Sequence, residues 1–264
     1  NSIGATVVVA ALKRHGVEVI FGQSNPSQIN LEGAASGIRQ IGYRTENAGT
    51  VMADGYSRVS RKVGVVAAQN GPAATLLVPG LVEALKSSIP IVALVQDVRR
   101  LHVDKNAFQE IDHMELFSGC AKWVRRIDRV ERLDDYIDAA FTAAVGGRPG
   151  PAVLILPVDL LAEETPLNGI REKRLGEFPL DRPVANPADI EIAADLLAKA
   201  RAPLVIAGGG VHVSGAVEAL AALQENAAIP VATTTMGMGS VNENHPLSVG
   251  GVGYYMGSRS ATKF

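Results

Sequence analysis

The chain alternates short, unbroken apolar runs with longer stretches whose apolar positions recur at helical spacing. Val63-Gly64-Val65-Val66-Ala67-Ala68 is one such run, residues 90–95 form a second and residues 152–157 a third. Runs without polar alternation predict strands covered on both faces, as in parallel sheets. Between them, Ala48, Val51, Met52, Gly55, Tyr56 and Val59 fall on one face of a predicted helix. Leu133, Ile137, Ala140, Phe141 and Ala144 repeat that period. Strands alternating with helices predict an α/β fold: a doubly wound parallel sheet with right-handed crossovers.

The pattern stops after Asp159-Leu160-Leu161. Residues 162–186 are rich in Pro, Glu, Arg and Gly, show no sustained period and read as a linker. Structure resumes at Asn186-Pro187, a good N-cap followed by a residue suited to the first helical turn. Ile190, Ala193, Ala194 and Leu197 supply that helix's apolar face. A strand at 204–207, the turn Gly208-Gly209-Gly210, a helix around 216–224 and a strand at 229–232 follow. The organisation read from the sequence is a domain over 1–161, a linker over 162–186 and a second, Rossmann-like α/β domain over 187–264. With so few strands, the second domain is expected to be incomplete.

The chain has 264 residues, 47% of them hydrophobic, which is enough for a sizeable core. Its 25 basic and 27 acidic residues give a net charge of −2 with no block of like charge, which argues against a nucleic-acid partner. The pairs Arg99-Arg100 and Arg125-Arg126 read as solvated faces. A single cysteine, Cys120, excludes a disulfide within the chain and suits a cytoplasmic setting. No apolar run reaches the roughly 18–20 residues that span a bilayer, so no membrane partner is expected. The start, Asn1-Ser2-Ile3-Gly4, has no signal-peptide character and no methionine, as expected of a trimmed or excerpted chain.

Five segments in order resemble the acetolactate synthase-like family of thiamine-diphosphate enzymes. They are Gly16-Val17-Glu18-Val19-Ile20-Phe21-Gly22, and Tyr43-Arg44-Thr45-Glu46-Asn47-Ala48-Gly49 running into Met52-Ala53-Asp54-Gly55-Tyr56-Ser57-Arg58. Asn70-Gly71-Pro72-Ala73-Ala74-Thr75 and Asn106-Ala107-Phe108-Gln109-Glu110 follow. The last is Gly147-Arg148-Pro149-Gly150-Pro151, which leads to Leu156-Pro157-Val158-Asp159. Each is weak alone; in register they cover most of residues 4–160. The later segments Pro203-Leu204-Val205-Ile206-Ala207-Gly208-Gly209-Gly210 and Pro230-Val231-Ala232-Thr233-Thr234 resemble the start of the family's central domain.

The resemblance implies a pyrimidine-binding domain and a set of site residues. A family glutamate hydrogen-bonds the aminopyrimidine of the coenzyme and shares a proton with it; Glu46 matches that catalytic, cofactor-binding residue. The competing reading is a glutamate that only caps the helix. The turn of Asn70, Gly71 and Pro72, with Thr75, matches the stretch that approaches the pyrimidine, although Gly-Pro-Ala stands where the family has Gly-Pro-Gly. Pro79 falls within the helix that follows, at a position that can kink it. Ser24, Asn25 and Pro26 replace a usual Pro-Gly near the reacting carbonyl, so they are substrate-facing candidates, and this departure puts the substrate in doubt. Phe108 and Gln109 match a segment that lines the substrate channel. Glu110, Asp112 and His113 together could pass for metal ligands, but solvated surface charges are the favoured reading and no metal is expected there. None of the five histidines has a catalytic context.

The function this implies is acetolactate synthase-like carboligation of 2-oxo acids. The alternatives are a thiamine-diphosphate-dependent decarboxylase or other carboligase, or a non-catalytic binding module. The chain contains no Gly-Asp-Gly, the family's mark of the diphosphate site and its Mg²⁺. The Mg²⁺ ligands are therefore expected in a diphosphate-binding domain supplied by a missing C-terminal part or by another chain. The resemblance further implies a homodimer or homotetramer. FAD at the Gly208–Gly210 turn is a candidate, not the favoured one, because the turn lacks Gly-x-Gly-x-x-Gly.

Overall fold

The computed structural model describes residues 2–166, 174–181 and 183–253. Parts of the expected linker and the last stretch of the chain lie outside the described residues. The chain divides into two compact units, the first ending at Asp181.

The first unit runs β1 (Ser2–Ile3), α1 (Gly4–Arg14), β2 (Val19–Phe21), α2 (Ser27–Ala35), β3 (Arg39–Ile41), α3 (Glu46–Ser60), β4 (Gly64–Ala68) and α4 (Pro72–Ser87). It continues with β5 (Ile91–Asp97), α5 (His113–Ser118), β6 (Trp123–Arg126), α6 (Leu133–Val145), β7 (Pro151–Pro157), α7 (Val158–Ala162) and β8 (Glu164–Thr165). Six strands form one sheet in the order β3-β2-β4-β5-β7-β6. Every pairing in it is parallel. The three apolar runs seen in the sequence are its central strands β4, β5 and β7, and β4 and β7 are buried at every position.

Helices α1, α2, α6 and α7 pack among themselves, as do α3, α4 and α5. The first group buries Leu12 and Phe141 and the second Leu77 and Phe117, all four fully. α4 starts with Pro72 in its first turn, and Pro79 lies inside a helix that continues to Ser87. Asp112 caps α5 by accepting from the Glu115 amide at 2.9 Å.

Within this unit, residues 175–178 lie along its framework. The Gly176 carbonyl accepts from the Val63 amide at 2.7 Å, and the Leu175 amide donates to Nδ1 of buried His15 at 3.1 Å. His15 Nε2 faces Asp138 Oδ1 at 2.8 Å, and the imidazole stacks on Phe141. The Leu175 amide can only donate, so the ring proton sits on Nε2, facing the carboxylate.

The second unit contains α8 (Pro187–Lys199), β9 (Val205–Ala207), α9 (Gly210–Val213), α10 (Val217–Ala227), β10 (Val231–Thr233) and β11 (Ser248–Gly251). Its strands form a parallel sheet in the order β11-β10-β9. The Asn186 side chain caps α8 by accepting from the Ala188 amide at 3.0 Å. Among the described residues no helix is long and apolar enough to cross a membrane.

Candidate active site

The order of the six-stranded sheet fixes where a ligand fits. The chain leaves β2 for β3 on one side, whereas β4 leads to β5 on the other. The carboxyl ends of β2 and β4 therefore flank a topological switch point, the usual ligand crevice of such sheets. The loop after β2 carries Gln23, Ser24, Asn25 and Pro26, and the loop after β4 carries Gln69, Asn70 and Gly71. A row of side-chain amides joins them. Asn25 Nδ2 donates to Gln69 Oε1 at 2.9 Å, and Gln69 Nε2 donates to Gln109 Oε1 at 3.0 Å. Ser24 is exposed beside this row, and Pro26 is buried.

Glu46 opens α3 just beyond the end of β3. It does not cap the helix: Thr45 is the N-cap residue, and Asn47 Oδ1 accepts from the Ala48 amide at 2.9 Å. Glu46 is half-buried, and among the described residues its carboxylate makes no hydrogen bond or ion pair. Close by, Tyr43 is buried and donates its hydroxyl to the Ala67 carbonyl at 2.7 Å. Burial, and then the negative charge of Glu46, push the Tyr43 hydroxyl above its ordinary pKa.

Glycines let α3 approach its neighbours. A Cβ on Gly49 would fall 2.2 Å from the Tyr43 ring, and one on Gly80 of α4 would fall 2.6 Å from Thr50 Cβ. Gln23 Nε2 donates to the carbonyls of Tyr43 (2.9 Å) and Arg44 (3.1 Å), which pins the segment leading into Glu46. Gln23 and Tyr43 were not singled out from the sequence, although both lie within or beside the matching segments.

The turn after β4 meets the Phe108–Gln109 segment directly. Asn70 is buried and its Nδ2 donates to the carbonyls of Phe108 (2.9 Å) and Gln109 (3.1 Å). Thr75 is exposed, and its hydroxyl donates to the Pro72 carbonyl at 2.6 Å. The Phe108 side chain is 78% exposed. The structure thus brings Asn25, Asn70, Gly71, Phe108 and Gln109 into one hydrogen-bonded group. Glu46 opens the helix that follows β3, the strand beside β2, and Gln23 of the β2 loop holds the backbone just before it.

Two readings from the sequence need correction. His113 is not a surface charge. It is 3% exposed, accepts at Nε2 from the Gly71 amide at 3.0 Å and faces Asp97 Oδ1 with Nδ1 at 3.1 Å. Arg126 is likewise no solvated residue, since its Nε donates to Asp97 Oδ2 at 2.8 Å. Burial works to raise the Asp97 carboxyl, but the hydrogen bonds from His113 and Arg126 outweigh it and hold the group below the usual carboxylate range. Arg100 is tied to Asp159, its Nε donating to Oδ2 at 2.8 Å. Glu110 accepts from the amides of Asp104 (2.7 Å) and Ala107 (2.8 Å), shaping its own loop. Among the described residues, no three His, Cys, Asp or Glu side chains group as a metal site.

A cavity of about 570 Å³ borders the outer part of this edge, lined by Asp97, Val103, Glu110, Asp112 and Arg126 among others. Glu46, Asn70 and Ser24 do not line it, so it is distinct from the switch-point crevice. In the second unit a cavity of about 440 Å³ is lined by Thr233, Thr234, Met238 and Glu243 among others. The Gly208–Gly210 turn is not part of that lining; a Cβ on Gly209 would fall 3.0 Å from Met236 Cβ.

Known families and proteins match the chain along most of its length. The family described as "Thiamine pyrophosphate enzyme, N-terminal TPP binding domain" matches residues 3–116. "Thiamine pyrophosphate enzyme, central domain" matches residues 190–264. The chain is 37% identical over 262 residues to a probable acetolactate synthase large subunit of Methanocaldococcus jannaschii, covering 98% of this chain and 44% of that protein. It is 36% identical to the acetolactate synthase of Arthrospira platensis, over 95% of this chain and 44% of the relative. Identity to the acetolactate synthase isozyme 2 large subunit of Escherichia coli is 33%, over 98% and 46%. The chain spans less than half the length of these curated relatives. The chain thus matches the N-terminal and central domains of thiamine pyrophosphate enzymes in order, and it is similar to acetolactate synthases over nearly its whole length.

Proposed function

We propose that the first unit is the pyrimidine side of a thiamine-diphosphate site whose parent protein joins 2-oxo acids in acetolactate synthase-like carboligation. The observation that carries this is the Glu46 carboxylate, half-buried at the start of the helix after β3 and left unpaired among the described residues. Such a group fits the protonated ring nitrogen of an aminopyrimidine, a partner that donates one hydrogen bond. Bound thiamine diphosphate supplies a carbon nucleophile for the carbonyl of a 2-oxo acid.

Each residue of the chain then has a defined task. Glu46 Oε holds and returns a proton at the pyrimidine nitrogen. Tyr43, beneath α3, and Gln23, at the preceding turn, fix where that carboxylate stands. Asn70, Gly71, Pro72 and Thr75 would form the wall for the ring, with Gly71 held by His113 and packed on Gln109. Asn25, already bonded to Gln69, orients the loop of Ser24 and Pro26; Ser24, Phe108 and Gln109 face the substrate.

Mg²⁺ and the diphosphate belong, in this proposal, to a diphosphate-binding domain outside this chain. Flavin at the Gly208–Gly210 turn is not part of it. A homodimer or homotetramer is proposed as well, supported by the outward apolar side chains Val51 and Val59 of α3, 58% and 89% exposed.

The test is turnover of pyruvate by the full-length protein with thiamine diphosphate and Mg²⁺, beside a Glu46→Gln variant. Acetolactate from the wild type and almost none from the variant supports the proposal. Coenzyme binding with a different product moves the reading to a decarboxylase or another carboligase. No coenzyme binding by the wild type leaves only a binding module.

A further inference from the structure

His113 is the first residue of α5, and both of its ring nitrogens are engaged below the surface. The Gly71 amide, 3.0 Å from Nε2, can only donate, so Nε2 bears no proton. The ring proton therefore sits on Nδ1 and points at Asp97 Oδ1, 3.1 Å away. The second oxygen of Asp97 accepts from Arg126 Nε at 2.8 Å, which stops the carboxylate from turning. A carboxylate that fixes the tautomer and orientation of a histidine is a familiar arrangement. Here the oriented nitrogen is aimed at a backbone amide of the candidate site.

Gly71 is the point where two turns touch. It adopts φ +63°, and a Cβ there would fall 2.4 Å from the Gln109 carbonyl oxygen. Gln109 itself sits at φ +58°. Asn70, next to Gly71, grips the carbonyls of Phe108 and Gln109 from the other side. His113 thus holds the amide of a residue at which the turn after β4 packs against Gln109.

We propose that His113 is a positioning residue: through Gly71 it locks the turn 70–72 and the turn 108–109 into one rigid piece. What those turns bind rests on the proposed function; that they are locked together does not. The arrangement explains why a buried imidazole is kept where an apolar residue would fill the core without needing partners. Its neutral tautomer is the only common side chain here that both accepts from Gly71 and donates to Asp97 through a rigid ring.

Three variants of the full-length protein test this. His113→Phe removes both contacts. His113→Asn keeps a donor near Asp97 but is too short to reach Gly71. His113→Gln has the reach to accept from the Gly71 amide. Hydrogen exchange at the amides of Asn70 and Gly71 and thiamine-diphosphate affinity are read for each, below its melting temperature. Losing this hydrogen bond should speed exchange about tenfold and weaken coenzyme binding about tenfold in the Phe and Asn variants. The Gln variant should stay within about threefold of wild type on both. If the Phe variant does not fold, the Asn–Gln pair decides alone. Unchanged exchange in the Asn variant overturns the lock. Faster exchange with unchanged affinity overturns the positioning role. Wild type that binds no thiamine diphosphate defeats the proposed function, and exchange at Asn70 and Gly71 then judges the lock by itself.

Discussion

Asp97 ends β5 and Glu46 follows β3, so both carboxylates stand at the carboxyl edge of one parallel sheet. Asp97 is buried, and both its oxygens take hydrogen bonds from His113 and Arg126. Glu46 is half-buried and, among the described residues, unpaired. A buried carboxylate whose oxygens are satisfied is scaffold: it orders loops and leaves nothing for a ligand. One that is partly desolvated without a protein partner keeps its binding capacity for something else. Under the proposed function, the proton chemistry at this edge is carried by Glu46 after β3, and the hydrogen-bonded carboxylate after β5 supplies rigidity.

The largest expected effect breaks that contrast at Glu46. Glu46→Gln should lower turnover about 10²–10⁴-fold with little change in melting temperature, read by steady-state kinetics beside thermal unfolding. A melting loss like that of an Asp97 variant would show that Glu46 is scaffold as well. Asp97→Asn should act the other way and cost about 2–3 kcal/mol of stability in a denaturant titration. The Asp97 carboxyl is held below its ordinary range, so its contribution is present above the ordinary carboxylate pKa. That contribution fades as pH falls through the folded value, and the Asn variant should lack this acid-side loss.

A Cβ at Gly49 should cost about 1–3 kcal/mol, because it would overlap the Tyr43 ring. If Gly49→Ala melts like wild type, the packing of α3 on Tyr43 is looser than described. His15 supplies a pH test remote from the crevice. Burial lowers its pKa despite Asp138, so the unfolded chain binds a proton more readily than the fold does. Stability should then fall as pH drops below the ordinary histidine value of 6.5 toward the folded value. Leu175 would lose its acceptor at the same time. In His15→Phe that histidine-linked slope should vanish, and a slope that persists would assign it to another group. The smallest effect is expected at Glu83, 64% exposed in the side chain and 3.4 Å from Arg58. Glu83→Gln should shift stability by less than about 0.5 kcal/mol.

The scaffold was legible in the sequence where burial is two-sided. β4, β5 and β7 show as unbroken apolar runs because both faces of each strand are covered. β6 escaped notice because it is an edge strand whose Trp-Val-Arg-Arg sequence carries charge at half its positions. The candidate residues were found by resemblance, since neither spacing nor composition distinguishes Glu46 from a helix cap. His113 reads as a surface charge because Glu110 and Asp112 stand just before it in the sequence. A usable signal was there: His113, Phe117 and Cys120 fall at i, i+4 and i+7, and all three are buried. The Gly71–His113 bond links residues 42 apart in the chain, a pairing that no local pattern encodes.

The measurement that bears most directly on the central claim is deuterium exchange at the thiazolium C–H of thiamine diphosphate bound to the full-length protein. Wild type and Glu46→Gln are compared at saturating coenzyme and Mg²⁺. If Glu46 manages the pyrimidine proton, exchange should be fast in the wild type and slower by about 10² or more in the variant, with the coenzyme bound in both. Equal rates in the two proteins would contradict the account and return Glu46 to the role of an ordinary residue at the start of a helix.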